Sequence, residues 1–84
     1  MSNIIDNKNH SRFELTLENH LCYADYHIEG EALYIDYVFA PPELRGKGAA
    51  GALMQGIVEI AESKDLKVIP ICSYAVSWMK RKGF

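Results

Sequence analysis

The first forty residues contain runs rich in apolar and aromatic side chains that are typical of β-strands, and the first run alternates, with Phe13, Leu15 and Leu17 on one face. Three such runs cover Arg12–Leu17, Leu21–Ile28 and Ala32–Phe39, and short polar segments separate them. Residues 1–10 are mostly polar, with turn-forming Asn and Asp, and we interpret them as a loose lead-in. The pattern therefore predicts a three-stranded antiparallel meander at the start of the chain.

We apply the two-residue period of a β-strand to the third run. This period sorts its side chains into two predicted faces, with Leu33, Ile35, Tyr37 and Phe39 on one and Tyr34, Asp36 and Val38 on the other. Pro41 and Pro42 end the run, because a proline cannot donate a ladder hydrogen bond.

After these prolines the apolar positions recur at three- and four-residue steps, from about residue 44 to Lys64, which predicts an amphipathic helix. Lys67–Cys72 is predicted as a short central strand, although Pro70 inside it indicates a bulge or an edge position. Ser73 is the predicted cap of a last helix over Tyr74–Lys82. The order β-β-β-α-β-α predicts an α/β (α+β) fold with a mixed, mostly antiparallel sheet.

Composition narrows the class of protein. The 84 residues are 49% hydrophobic and 24% charged, which predicts a single globular domain over residues 1–84. A chain of this size buries only about 60–65% of its unfolded surface, so a homodimer is a reasonable expectation. The net charge of -2 provides no basic field for nucleic acid or a membrane surface.

The sequence shows no leader, membrane or metal pattern. The N-terminus lacks a basic region followed by an apolar stretch, and no apolar run approaches the roughly 18 residues of a membrane span. Cys22 and Cys72 lie far apart, and the three histidines have no zinc-enzyme spacing. We therefore expect a cytoplasmic protein without a metal site.

The segment between the third strand and the long helix reads PPELRGKGAAG over residues 41–51. The first amides of a helix have no internal partners and carry the positive end of the helix dipole. Small residues let an anion approach those amides, and Arg45 and Lys47 add two positive charges. The segment is therefore a candidate pyrophosphate cradle, with a helix start made of small residues for packing as the plainer interpretation.

Three phosphate-binding motifs compete for this segment and fit it poorly. Gly46, Gly48 and Gly51 spell GxGxxG, but a five-residue spacer separates them from the strand, and the region about 20 residues on is apolar. A P-loop fails because no GK[ST] follows at the required spacing. Residues 48–51 match the GxxG of a KH domain, yet no predicted helix precedes them.

A fourth motif fits better. Arg45-x-x-Gly48-x-Ala50 resembles the Q/R-x-x-G-x-G/A pyrophosphate motif of the GNAT acetyltransferases. The stretch from about Ala32 to Lys82, with PPELRGKG and LKVIPICSY, resembles the small YjdJ-type (Gtn-like) N-acetyltransferases. The resemblance implies a minimal GNAT-like fold, acetyl-CoA as cosubstrate, and a primary amine of a small molecule or protein as acceptor. Tyr37 stands where many of these relatives have a histidine.

The resemblance also assigns residues to the cofactor. Backbone groups at the helix start would hold the pyrophosphate, namely those of Arg45, Gly46, Lys47, Gly48, Ala49 and Ala50. The end of the third strand, Val38, Phe39 and Ala40, would pair through its backbone with the pantetheine arm, like an added strand.

Three side chains are candidates for the chemistry of transfer. The resemblance puts the acetyl group near Cys72, which would attack the thioester or protonate the departing thiolate. Tyr74 would donate a proton to that thiolate, and Asp36 would accept the proton of the amine. Plainer interpretations are a buried hydrophobe for Cys72, a core anchor for Tyr74 and an exposed strand residue for Asp36.

The sequence thus predicts an acetyl-CoA-dependent N-acetyltransferase, and two other classes stay open. One is a non-catalytic acyl-CoA-binding or interaction module, which binding without turnover of any amine would favour. The other is a small KH-like nucleic-acid-binding module, which salt-dependent RNA binding would favour.

Overall fold

The structure is a computed structural model that describes residues 3–84. Over these residues the chain forms five strands, a short 3₁₀ turn and two helices. In chain order the elements are β1 (Ile5–Asn7), β2 (Arg12–Leu17), β3 (His20–Glu29), β4 (Ala32–Phe39), the 3₁₀ turn (Pro42–Leu44), α1 (Ala49–Ser63), β5 (Lys67–Pro70) and α2 (Ser73–Arg81).

The strands form one mixed sheet in the order β1-β2-β3-β4-β5. Neighbours are antiparallel from β1 to β4, and β5 joins β4 in parallel after the crossover through α1. The predicted mixed, mostly antiparallel sheet is confirmed, but the predicted order lacks β1. The lead-in predicted for residues 1–10 contains this strand, whose three residues are too few to show a period, and residues 1–2 lie outside the described part.

The position of β5 corrects the sequence analysis. The strand lies at an edge of the sheet rather than in its centre, and it ends at Pro70, two residues before the predicted end. Pro70 has no N–H to offer a further strand, which keeps β5 at the edge. The N–H groups of Ile71 and Cys72 both donate to the carbonyl oxygen of Ile35, at 2.9 and 3.2 Å, and this sharing ends the ladder.

Both helices pack on the same face of the sheet. The least exposed side chains form one cluster that joins this face to α1 and α2. Its members from the strands are Phe13, Leu15, Cys22, Ala24, Leu33 and Ile35, and its members from the helical side are Leu44, Ala49, Leu53, Met54, Ile57, Val58, Ala61, Ala75 and Trp78. The 3.6-residue pattern predicted from the sequence is therefore the face with which α1 covers the sheet.

No element of residues 3–84 covers the opposite face of the sheet, which we call the open face. The strand register places on it the side chains of Arg12, Glu14, Leu21, Tyr23, Asp25, His27, Tyr34, Asp36, Tyr37, Phe39 and Ile69. None of these residues packs against the helix-side core. Side chains of the open face therefore contact each other and solvent.

β4 carries a bulge that the sequence pattern did not reveal. Tyr37 pairs with Asp25, whereas the next residue of β3, Tyr26, pairs with Ile35. Asp36 is therefore the extra residue of β4, and such a residue bends the strand and shifts its alternation by one position.

The bulge overturns the faces predicted for the end of β4. Leu33 and Ile35 point into the core, as predicted, but beyond the bulge it is Val38 that packs against the core. Tyr37 and Phe39 lie instead on the open face, so the prediction that they share a face with Leu33 and Ile35 is wrong.

The helices begin and end at residues that differ slightly from the predictions. α1 begins at Ala49, five residues after the predicted start, because Gly46 and Gly48 adopt left-handed φ values of 77° and 74° in the loop before it. α2 begins one residue early, with Cys72 as its N-cap, so the predicted capping role of Ser73 is wrong.

Candidate active site

The start of α1 carries backbone amides that no other part of residues 3–84 uses. The first hydrogen bond of the helix runs from the N–H of Ala52 to the carbonyl oxygen of Gly48, at 2.9 Å. Five amides before it make no hydrogen bond within the described chain: Gly46, Gly48, Ala49, Ala50 and Gly51. Such amides, at the positive end of a helix dipole, attract an anion.

Two amides of the predicted cradle are already occupied. The N–H of Arg45 donates to the carbonyl oxygen of Pro42 at 3.1 Å, and the N–H of Lys47 donates to that of Leu44 at 3.2 Å. The Gly46 amide between them makes no hydrogen bond within the described residues. The amides available to an anion are therefore a narrower set than the sequence indicated.

The two loop glycines leave the approach to these amides open. A Cβ built on Gly46 or Gly48 would meet no heavy atom within 4 Å. Both have positive φ, so other residues are disfavoured there on backbone grounds as well. The loop is therefore exposed backbone at the protein surface, not a packed connection.

A cavity of about 240 Å³ lies against this loop. Its lining residues are Ala40, Leu44, Arg45, Gly46, Gly48, Ala49, Ala50, Gly51 and Tyr74. A larger cavity of about 300 Å³ lies between the far ends of the helices, beside Val58, Leu66 and Phe84, away from these amides. The smaller cavity is the better anion site, because it alone combines open space with the helix start.

The two cations of the loop have different surroundings. Arg45 lines the cavity and forms no ion pair within residues 3–84. Lys47 places its Nζ 3.2 Å from Oε1 of Glu18, in the β2–β3 turn. Arg45 is thus the cation that can reach an anion in the cavity without losing another partner.

A gap opens between β4 and β5 next to the cavity. Their last pair is Ile35 with Pro70, and beyond it β4 runs on to Phe39 beside β3 alone. The carbonyl oxygens of Glu31 and Ile35 accept hydrogen bonds from the β5 side, at 2.8 and 2.9 Å. Because the bulge shifts the alternation, the backbone N–H and C=O of Val38 face the gap.

The predicted catalytic residues surround this gap but do not touch each other. Tyr74 lines the cavity, with its hydroxyl 3.8 Å from the position of a Cβ on Gly51. No hydrogen bond within the described residues occupies that hydroxyl. Cys72 packs against the core and does not line the cavity.

Asp36 lies on the open face, where the bulge directs it towards His27. Its Oδ2 is 2.8 Å from Nδ1 of His27, and Nε2 of His27 is 3.3 Å from Glu29. The His27 ring stacks on Tyr34, with centroids 4.6 Å apart. The hydrogen bond to Asp36, aided by the two carboxylate charges, raises the pKa of His27.

Comparison with protein families tests the resemblance on which the interpretation of this loop rests. Residues 12–83 match the family described as GCN5-related N-acetyl-transferase. The chain belongs to this family. The GNAT resemblance seen in residues 45–50 is therefore confirmed at the level of the family, while the YjdJ-type subgroup stays a prediction. Comparison with the curated proteins finds no match.

The family match also favours the GNAT interpretation over the KH-like one. In this GNAT domain the Gly48–Gly51 run belongs to the first turn of α1 and follows a strand, whereas a KH domain needs it between two helices. Within residues 3–84 no helix is long and apolar enough to cross a membrane. No group of three or more His, Cys, Asp or Glu side chains in that range is arranged to hold a metal ion.

Sequence reasoning missed several residues of this candidate site. Leu44 and Gly51 line the cavity, and Glu18 holds Lys47 from a distant turn. Gly51 had a signal, since it is the third glycine of the run. Glu18 and the contact between His27 and Asp36 had none, because strand pairing across the sheet brings them to their partners.

Proposed function

We propose that the protein transfers the acetyl group of acetyl-CoA to a primary amine. The observation that carries this proposal is the set of five unpartnered amides at the start of α1, which lie beside a cavity and include two glycines with open space around them. A diphosphate suits this site, because several N–H donors and Arg45 converge on one small volume.

The residues present fit the rest of the cofactor as well. The pyrophosphate would accept hydrogen bonds from the amides of Gly46, Gly48, Ala49 and Ala50, with Arg45 as the counter-charge. The pantetheine arm is an amide chain, and the free backbone edge of Val38–Ala40 offers it the pairing of an added strand. The thioester would then lie in the gap between β4 and β5.

The reaction balances with groups that the chain supplies. The neutral amine nitrogen forms a bond to the thioester carbon, and the carbon–sulfur bond breaks to release CoA thiolate. The amine loses one proton to Asp36 on the open face, and Tyr74 donates one to the thiolate from the cavity. Both are returned through solvent, so no further reactant is required.

Direct transfer is preferred to a route through Cys72. The Cys72 side chain packs against the core and does not line the cavity that holds the unpartnered amides. Intact-mass measurement after incubation with acetyl-CoA distinguishes the routes. We expect no stable acetyl adduct, and an adduct on Cys72 would establish the covalent route.

Titration calorimetry tests the proposal, with CoA and acetyl-CoA added to the folded protein at neutral pH. We expect both to bind, and acetyl-CoA to be consumed when a panel of primary amines is present. Tyr74→Phe should bind CoA normally and lower kcat about 100-fold, the usual contribution of a positioned acid. Absence of binding would end the proposal, and binding without turnover of any amine would leave a non-catalytic acyl-CoA binder.

A further inference from the structure

The open face is an unusual surface for a chain of this size. It holds several large side chains in a row of aromatic contacts, with Tyr23 stacked on Phe39 at 5.2 Å and tilted against Tyr37 at 6.5 Å. Tyr37 is 49% exposed and Leu21 36%. Solvent-facing sheets are usually polar, so exposed aromatic side chains in one patch mark a contact surface.

The charge of this patch is mainly negative. Arg12 is held by Glu14 at 2.7 Å, and its guanidinium also lies over the ring of Tyr23, 4.6 Å from the centroid. Asp25 lies opposite Arg12 in the register, and Asp36 belongs to the bulge, where its Oδ2 lies 2.8 Å from Nδ1 of His27. Even with the His27 ring protonated, the carboxylates on this face outnumber the cations. A cation from another molecule would find there both carboxylates and aromatic faces.

The patch also adjoins the gap. Asp36 is the first residue of β4 beyond the last β4–β5 pair, and Tyr37 follows it on the open face. Cofactor held on the helix side would present its thioester in this gap. An acceptor that approaches from the opposite side would reach the thioester across Tyr37 and Asp36.

The shape of the patch indicates which kind of acceptor it can bind. Sites for small molecules are concave, with buried walls around most of the ligand. Both cavities described above lie on the helix side, whereas the open face is a sheet surface with protruding side chains. Such a surface suits a long partner that makes several contacts at once.

We propose that the acceptor is a lysine side chain of a basic polypeptide segment, which binds across the open face with its amine at Asp36. Tyr23, Tyr37 and Phe39 contact the aliphatic parts of the segment, while Asp25 and Asp36 face its charges. This assignment rests on the proposed acetyl transfer, but the class of acceptor is a separate claim with a test of its own.

Nuclear magnetic resonance on ¹⁵N-labelled protein tests this claim without an activity assay. The probes are an end-blocked peptide of alternating glycine and lysine, and 1,5-diaminopentane as a small amine with similar charges. We expect the peptide to shift the amide signals of Tyr23, Asp36 and Tyr37, with an affinity at least about tenfold above that of the diamine. Tyr37→Ala should remove this difference, whereas Val76→Ala, on the exposed side of α2, should not.

Several results would overturn the claim. One is equal affinity for peptide and diamine, and another is the absence of peptide-induced shifts on the open face with or without CoA. A third is a shift of the same signals with protein concentration alone, which would assign the patch to a second copy of the chain. Failure of the proposed function shows separately, as absence of CoA-induced shifts at Gly46–Gly51.

Discussion

The two faces of the sheet have opposite characters. The helix-covered face is closed and apolar, and its contacts come from three- and four-residue spacing in α1 and from alternation in the strands. The open face consists of aromatic contacts and charge pairs that lie on the surface, such as His27 with Asp36. The proposed cofactor cradle lies at the rim of the first face, and a gap in β4–β5 pairing lies between it and the second.

The two faces therefore have different roles in this chain of 84 residues, one in stability and the other in recognition. One face supplies the folding free energy and positions the start of α1, because burial of apolar area is concentrated there. The other contributes little to the core and can therefore carry residues selected for recognition. Substitutions on the two faces should consequently have different effects on stability and on binding.

Truncation of one leucine on each face should give the largest contrast. Leu53 is fully buried on the face of α1 that covers the sheet, so Leu53→Ala should lower the free energy of unfolding by about 2–5 kcal/mol. Leu21 lies on the open face, and Leu21→Ala should cost less than about 1 kcal/mol. Urea denaturation followed by circular dichroism measures both, and equal losses would show that the open face is covered in solution.

A matched pair of glycine substitutions separates the effect on CoA binding at the proposed cradle from the effect of backbone strain. Gly48 and Gly30 both have positive φ and open space where a Cβ would lie, so Gly48→Ala and Gly30→Ala should cost similar stability. Only Gly48→Ala adds a methyl group beside the unpartnered amides. We expect its CoA affinity to fall about 10- to 100-fold, from one or two lost charge-assisted hydrogen bonds, while Gly30→Ala binds normally. Parallel losses in calorimetry would assign the effect to strain.

The two loop cations should differ by a smaller margin. Arg45→Gln should weaken CoA binding about five- to tenfold, because Arg45 lines the cavity without an ion pair in the described chain. Lys47→Gln should weaken it less than about threefold, because Lys47 is exposed and paired with Glu18. Calorimetry at two salt concentrations is the measurement. A larger loss for Lys47→Gln would mean that the pair with Glu18 opens when the anion binds.

The pH dependence of stability should show the smallest effect, from His27 on the open face. Since its folded pKa is raised by Asp36 and Glu29, its contribution is fully present below the unfolded value of 6.5. That contribution is lost as pH rises through the folded pKa. His27→Gln should therefore destabilise the protein more at a pH of about 5.5 than at about 8.5 in urea denaturation. A difference independent of pH would mean that only the stacking on Tyr34 matters.

The features that could be predicted from the sequence depend on local spacing. β2, β4 and α1 follow from the spacing of their apolar residues, β3 follows from its aromatic content, and the unpartnered amides follow from glycines placed at a helix start. The chemistry of this loop is local too, because the unpartnered amides belong to neighbouring residues. For these elements, the order of residues along the chain is sufficient for the prediction.

The features that escaped prediction depend on pairing between distant residues. The bulge at Asp36 exists only relative to β3, so the alternation of β4 placed Tyr37 and Phe39 on the wrong face. The edge position of β5 and the contact of Asp36 with His27 likewise arise from sheet assembly. Local sequence patterns do not indicate which residues of two distant strands pair with each other.

The free amides at the start of α1 are the proposed binding site for the diphosphate of CoA, and the proposed cradle depends on them. The decisive experiment is an NMR titration of ¹⁵N-labelled protein with CoA. We expect the largest downfield shifts at Gly46, Gly48, Ala49, Ala50 and Gly51, and smaller ones at Arg45 and Lys47, whose amides are already bonded. Unchanged signals from these five residues at saturating CoA would contradict the proposed site.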